Sequence, residues 1–581
     1  MKRFRNDVRR IWFWKHHPPD DEENEVTYIP GLYLKSGWEP DPATKTIEKC
    51  MNLFESTLIS ERARYCKPSP SNLLPSQWNL IDDLQDNDVY ISIEADKNLG
   101  GCLLLRNTYN TRGVSEHLGD STVYKPLSKD EATSHHRRLR TKVEGFIRRW
   151  RACRQLSKAE TVYLQRALEQ NPDQFSRFRM SLKAHKTPWK MRPIVCCAGT
   201  FMNNLSCWLD YWLQKLKPSV PTYIKDSKHL LYLLKQLGIL PPNARLFTAD
   251  ANSMYTNIDT DHAIEIITAW LKSIDLPDKF PLEAVLDAME LVMRNNLFNW
   301  GDMFFLQLLG TAMGTSAACM WATIYFAVHE SECLIPKYNH CLLLFKRFID
   351  DMFGIWIGSD AEWVEFQNDT NNFGILTWDF EEPSLSVDFL DLTISIEANT
   401  IVTTTFQKAL NLYQYIPPHS AHPPKMIQGI IYGLLKNYYI QNTKKEDYHN
   451  ITIKLYHRLV ARGWNAADIK SHILAADTRI KNSNPPILPL QPPIIETTDE
   501  ADDTKDTIFI HWEYHPNDIP RRRVRAIYNN TCGELLKEDL DICNTIIAYS
   551  RPPNLKDMIT KAKLHQAPGK EASKYYSGEL P

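Results

Sequence analysis

The sequence predicts an α+β fold, and three observations carry that prediction. Short apolar runs pair with near neighbours across turns: residues 89–93 with 102–105, and the two halves of 342–358. Longer stripes at helical spacing stand apart from those runs, at 204–216 and again after Pro423-Pro424. Third, 43 % hydrophobic and 24 % charged residues is the balance of a chain that builds cores. The 581 residues correspond, at roughly 150 per domain, to about four domain-sized units. Lys+Arg 68 against Asp+Glu 70 leave a net charge of −2, which excludes polyanion binding through overall positive charge; any such partner is held by local basic clusters. Twelve cysteines without a CxxC pair or paired His/Cys spacing argue against structural zinc, and Cys196-Cys197, following Ile194-Val195, read as core packing.

Residues 1–88 are an N-terminal extension. Its opening, MKRFRNDVRRIWFWKHH, is basic but lacks the continuous apolar stretch of a secretory signal, and DDEENE at 20–25 is acidic. The strands at 89–93 and 102–105 are joined by ADKNLGG, a turn that offers Lys97 to an anion. HHRRLRTKVEGFIRRWRACR, within 129–158, is the strongest basic patch, a helix with Phe146, Ile147 and Trp150 among its arginines; a solvated face and a phosphate-contacting face are both open readings. In 204–216, Leu205, Trp208, Leu209, Trp212, Leu213 and Leu216 form a core stripe. Residues 303–328 carry no charge and are long enough to cross a bilayer. Gln307, Gly310, Thr311, Gly314, Thr315 and Ser316 make their first half too polar for that, so a buried loop and a buried helix at 317–328 are expected, with no membrane contact. A second stripe, Met426, Ile427, Ile430, Ile431, Leu434, Leu435 and Tyr438, follows the prolines. Residues 481–506, Pro-rich and then acidic (ETTDEADDTKD), read as a linker, and 507–581 as a small separate C-terminal region. RRRVR at 521–525 suits nuclear entry or RNA binding.

The chemistry is carried by acids. RLFTAD (245–250) is a short apolar strand ending at Asp250, and LLLFKRFIDDMFGIWIG (342–358) is a hairpin with Asp350 and Asp351 at its tip. Carboxylates between apolar halves are costly to bury unless neutralised, and divalent cations neutralise them while serving chemistry. Three carboxylates on adjoining strands can bridge two Mg²⁺ ions roughly 3.5–4 Å apart, the arrangement of nucleotidyl transfer. Between the acidic sites, QLLGTAMGTS (307–316) holds Gly310 and Gly314, which leave the backbone open to close approach by a ligand. Upstream, SLKAHKTPWKMRPIV (181–195) sets Lys183, Lys186, Lys190 and Arg192 around a proline turn. This is a basic loop of triphosphate size, although a solvated hairpin tip looks alike.

In this order, basic loop, Asp strand with Tyr255 five residues on, Gln/Gly loop with its helix, then Asp-Asp hairpin, the chain resembles the palm and fingers of reverse transcriptases. More narrowly it is similar to the endonuclease-lacking reverse transcriptases of Penelope-like retroelements, relatives of telomerase. That likeness rests on ADKN (95–98), LGDSTVYKPL (118–127), KAHK followed by RPIV, DANSMYTNI (250–258), FIDD, FLDLTI (389–394), HSAHPPK (419–425) and RPPNLKDMI (551–559). The resemblance implies a right-hand polymerase: fingers with part of the palm at 89–240, a ferredoxin-like palm at 241–405 and a helical thumb at 406–480. It implies that Asp250 and Asp350, with Asp351 beside them, hold two Mg²⁺ ions. Tyr255 would screen the sugar 2′ carbon, Gln307, Gly310 and Gly314 would lie against template and incoming nucleotide, and Lys183 or Lys186 with Arg192 would hold the triphosphate. The implied activity is RNA-directed DNA synthesis from a primer 3′ hydroxyl, with an RNA template, a DNA primer or 3′ end and dNTPs as partners; the expected location is intracellular, and nuclear on the strength of RRRVR. Neither the template nor the oligomeric state is legible.

Three departures stand out. Phe348 opens the hairpin where many relatives have Tyr or Ala. No Lys, Arg or His occurs from 348 to 407, so the nearest proton donor for pyrophosphate is Lys408. GIIYG (429–433) is only superficially like a GIY-YIG nuclease motif, so the expected primer is a pre-existing end or nick. RNA-directed RNA synthesis and noncatalytic nucleic-acid binding are the rival readings; Asp250, Asp350 and Asp351 argue against the second.

Overall fold

The computed structural model describes residues 1–17, 32, 40–65, 73–87, 89–97, 99–171, 173–184, 186–420, 422–423, 425–483, 507–515, 517–550 and 554–560. The α+β expectation holds, and its centre is a four-stranded antiparallel sheet. Strand Arg245–Ala251 leads through helices that include Ala318–His329 to the hairpin Leu342–Phe348 and Asp351–Trp356, then through helix Asp360–Thr370 to Trp378–Phe380. In space the last strand lies beside the first, the first beside the third, and the third beside the second. That is the β-α-β-β-α-β order of a ferredoxin-like palm, as expected for a right-hand architecture.

Strand alternation decides what each face of the palm does. Phe247, Ala249 and Ala251 point into the large core with Met352, Trp356 and the helices, whereas Leu246, Phe353 and Ile355 point into a second core with Leu230, Leu392 and Ile394. Asp250 and Asp351 share the parity of Leu246 and Phe353, so they stand on the face away from the helices. Helix Ala318–His329 is buried as expected, with Cys319 its one exposed residue.

A second, five-stranded sheet runs in the order Tyr124–Leu127, Met303–Gln307, Asn296–Trp300, Ser176–Lys183, Lys190–Cys196, so it joins strands of the expected fingers, 89–240, to two strands from the range expected to be palm, 241–405. The strands Tyr90–Glu94 and Gly101–Leu105 form their own hairpin, docked through an Ala95–Leu182 bridge. The stripe of helix Phe201–Gln214 is buried as read. In helix Lys129–Ala152, Leu139, Val143, Phe146 and Ile147 are core, and Trp150 donates to Asp287 at 2.7 Å, so the aromatic interleaving serves packing. Arg140 and Arg149 pair with Glu144 and Asp287, as a solvated face would. The thumb is three helices, Met426–Gln441, Lys445–Ala461 and Ala466–Asn482, around Ile431, Leu435, Leu455 and Ile469. The last helix carries the chain two residues past the expected start of the linker; the rest of it, 484–506, lies outside the described residues, as do His185 and 561–581.

One expectation is corrected. The N-terminal extension and the C-terminal region are not separate: helices Lys2–His16 and Lys45–Tyr65 share one core with Arg521–Tyr528, Glu534–Leu540 and the parallel strands Thr507–Glu513 and Asn544–Ser550. Phe4, Phe54 and Tyr528 meet edge to edge, and Arg62 pairs with Asp518 at 2.8 Å. Neither segment has enough apolar surface of its own to close a core. Among the described residues no helix is long and apolar enough to cross a membrane.

Candidate active site

Asp250 is the penultimate residue of its strand. The register sets it directly across from Asp351 on one side and from Asp379 on the other, and directly opposed residues project to the same face. Asp350 joins them from the hairpin turn, where its carbonyl accepts the Ala251 amide at 2.9 Å. Four carboxylates thus converge on one open end of the palm sheet.

A buried ion pair fixes the tip. Arg347 is 1 % exposed and Glu330 0 %, and the guanidinium reaches both carboxylate oxygens, at 2.6 and 2.9 Å. Two further donors serve carbonyls of the chain, Thr323 and Ile349, each at 2.8 Å. Ile349 has φ +57, a left-handed conformation that a branched side chain adopts only when its surroundings impose it. The Arg347 contact is one such imposition, and it holds the turn that presents Asp350 and Asp351.

The aspartates themselves are uncompensated. Among the described residues, Asp250, Asp350 and Asp351 accept no side-chain hydrogen bond and form no ion pair. Burial, then Asp350 and Asp250, push the Asp351 carboxyl up to about 6. Asp250 is raised too, by partial burial and by Asp350. Lysines from three distant segments oppose this: Lys97 and Lys408 at Asp351, Lys186 and Lys97 at Asp250. Burial lowers Lys97, and Lys408 and Lys186 lower it further. Hard oxygen donors, half-buried, mutually repelling and without a partner, fit divalent cations of the Mg²⁺ type. Among the described residues the one trio of ligating side chains with donor atoms all within 4.8 Å is His340, Cys341 and Glu362, at the opposite end of the hairpin. Asp250, Asp350 and Asp351 do not form such a trio.

The other expected residues fall into two groups. Lys183, Lys186 and Arg192 line the basic hairpin, where Lys183 pairs in register with Lys190 and Arg192 reaches Asp96 at 2.8 Å. Burial and the neighbouring Arg192 lower the Lys183 ammonium. Tyr255 donates to or accepts from Cys319 Sγ at 3.1 Å, and burial with that contact raises its phenol. Its carbonyl accepts the Thr311 amide at 2.7 Å.

Gly310, at φ +70, would set a Cβ 2.1 Å from that Tyr255 carbonyl, and Gly314, at φ +127, one 2.1 Å from the Val195 carbonyl. The close approach read from these glycines is therefore made by the chain's own backbone, which pins Tyr255 and joins the loop to the basic hairpin. Gln307 is buried at 3 % exposure and donates to the Leu309 carbonyl, with its Oε1 unpartnered. In the sheet it lies between Tyr124 and Asn296 of the two flanking strands.

No family model matches this chain, and no curated protein does. Solved structures similar to it include a Candida tropicalis apo telomerase truncated from its C-terminal domain, at 13 % identity and TM-score 0.30 over 40 % of this chain; this chain spans 56 % of that one. A Candida albicans telomerase in complex with a fragment of telomeric RNA matches at 10 % identity and TM-score 0.43, over 70 % of this chain and 69 % of that one. A Sicinivirus RNA-dependent RNA polymerase matches at 11 % and TM-score 0.35, over 73 % and 89 %.

Two residues of the site escaped the sequence. Asp379 was one of twelve acids in an uncharged-base span with no local mark of its own; only strand pairing brings it to Asp250. Arg347 precedes the hairpin tip in a strand-like run, and a charge at a buried parity position was its signal.

Proposed function

We propose that this chain extends a primer 3′ hydroxyl with dNTPs on an RNA template. The observation that supports this most is the register that faces Asp250 with Asp351, beside Asp350, on an open end of a ferredoxin-like sheet. Divalent cations held by Asp250, Asp350 and Asp351 supply, when bound, acidification of the 3′ hydroxyl and charge stabilisation at the attacking and leaving oxygens. Lys97 and Lys186, with Lys183 and Arg192 behind them, attract and orient the triphosphate. The 3′ oxygen bonds to the α-phosphorus, the α–β bridging bond breaks, and pyrophosphate leaves. Lys97, made more acidic by burial and by Lys408 and Lys186, is the proton donor to that leaving group, and Lys408 completes the positive wall around it. Tyr255, held by Cys319 and by the Gly310-Thr311 backbone, excludes a 2′ hydroxyl beside Asp350. The motif likeness to Penelope-like reverse transcriptases supports RNA as template.

Primer extension on an RNA template, with dNTPs and NTPs in separate reactions, tests the reading. Incorporation of dNTPs is expected, with NTPs admitted by Tyr255→Ala. Wild-type preference for NTPs would contradict it and favour RNA synthesis.

A further inference from the structure

Beyond the thumb, the unit formed by the two chain ends presents a cleft of about 700 Å³ toward the start of the thumb, lined by Trp512, Tyr514, Tyr549, Arg521, Arg522 and Arg525. We infer that this cleft binds a single-stranded polynucleotide, apart from the carboxylate site.

The cleft is lined with positive charge. Helix Arg521–Tyr528 opens on three consecutive arginines, at the end where the helix dipole is positive. Cations there oppose both the dipole and one another, so the placement costs stability and is relieved by an anion. Arg523 is answered by Glu61. Arg521 and Arg522 are exposed and take no ion pair or hydrogen bond among the described residues, and Lys425 reaches the same cleft from the thumb. The one acid in the lining, Asp518, is spent on Arg62 and the Trp512 indole.

The cleft also presents aromatic surface. Tyr514 and Tyr549 meet edge to edge at 5.3 Å. Tyr514 and Pro423 also line an adjoining cavity of about 310 Å³ that runs along the thumb past His419, His422 and Trp464. Arg62 lies over the Trp512 ring at 4.9 Å, which leaves Tyr514 and Tyr549 as the rings beside unpaired guanidinium groups; along a track between two modules, these are what stacked bases on a phosphate backbone require. An acidic peptide would answer the arginines but leave the rings unused. RNA and single-stranded DNA share the recognised chemistry.

The test is binding of labelled oligouridylate and oligothymidylate to the full chain across a salt series, with 4-thiouridine crosslinking to map contacts. Arg521→Gln/Arg522→Gln, which removes cations that oppose the helix dipole and so should hold or raise the melting temperature, should lower the salt slope by about 1.4, at roughly 0.7 per lost phosphate contact on a single strand. Affinity should fall several-fold, with wild-type crosslinks at Trp512, Tyr514 or Tyr549. Asp350→Asn should keep those crosslinks, so failure of the polymerase reading leaves this result distinct. Stronger loss with one oligonucleotide names RNA or DNA as the natural strand. An unchanged slope with no crosslink at the three rings would overturn the proposal, as would equal displacement of the oligonucleotide by polyglutamate.

Discussion

Two charged clusters lie a few residues apart at the hairpin and are built on opposite terms. Arg347 and Glu330 are wholly buried and mutually satisfied, with Thr222, Thr323 and Ile349 taking up the remaining donors and acceptors. Asp250, exposed, and Asp350 and Asp351, half-buried, are like-charged and form no ion pair or side-chain hydrogen bond among the described residues. A buried pair kept whole contributes rigidity and is costly to break, whereas carboxylates left unpaired are a deficit that a ligand removes. The difference separates the residues that make the site stand from those we propose do its chemistry.

The sharpest break of that comparison is Asp350→Ala. Primer extension should fall on the order of 10³-fold, about 4 kcal/mol of transition-state stabilisation, with the melting temperature no lower than wild type. Glu330→Ala should act in the opposite manner, destabilising the chain by about 3–5 kcal/mol in denaturant titration because it strands a buried guanidinium. Glu330→Met combined with Arg347→Met should recover most of that stability while activity stays low, since the Ile349 turn loses its tie.

Gly310→Ala comes next, at about 1–3 kcal/mol, because the new methyl meets the Tyr255 carbonyl at a positive φ. Its distinguishing readout is a loosened choice between dNTP and NTP rather than stability alone. On stability in the absence of metal, Asp351→Asn should have the smallest effect, and a pH-dependent one. The folded carboxyl titrates at about 6 against a usual 3.8, so ionisation is disfavoured by the fold. Wild-type stability therefore drops as pH rises from about 3.8 to about 6, and the deficit persists above. In chelator, the Asn variant should be more stable than wild type by about 1–2 kcal/mol at pH 7.5 after solvent screening. The gap should narrow at pH 5, as thermal melts at both values would show.

What the sequence made legible follows contact distance. The Asp-Asp hairpin, the Asp250 strand, the basic hairpin and the 204–216 and 426–438 stripes are local patterns whose periodicity survives in the fold. Asp379 and the convergence of Lys97, Lys186 and Lys408 depend on which strand neighbours which, and no local pattern states that. The glycines show a subtler limit: a left-handed turn was readable at Gly310 and Gly314, but not whether a ligand or the chain itself came close. The terminal unit was missed for the plainest reason, since Phe4 and Tyr528 belong to one core across almost the whole chain.

Whether Asp250, Asp350 and Asp351 jointly hold divalent cations is read by titrating Mn²⁺ into the full chain and following electron paramagnetic resonance. The account expects binding in wild type that Asp250→Asn and Asp351→Asn each weaken at least tenfold. Equal Mn²⁺ affinity and stoichiometry in all three proteins would contradict it.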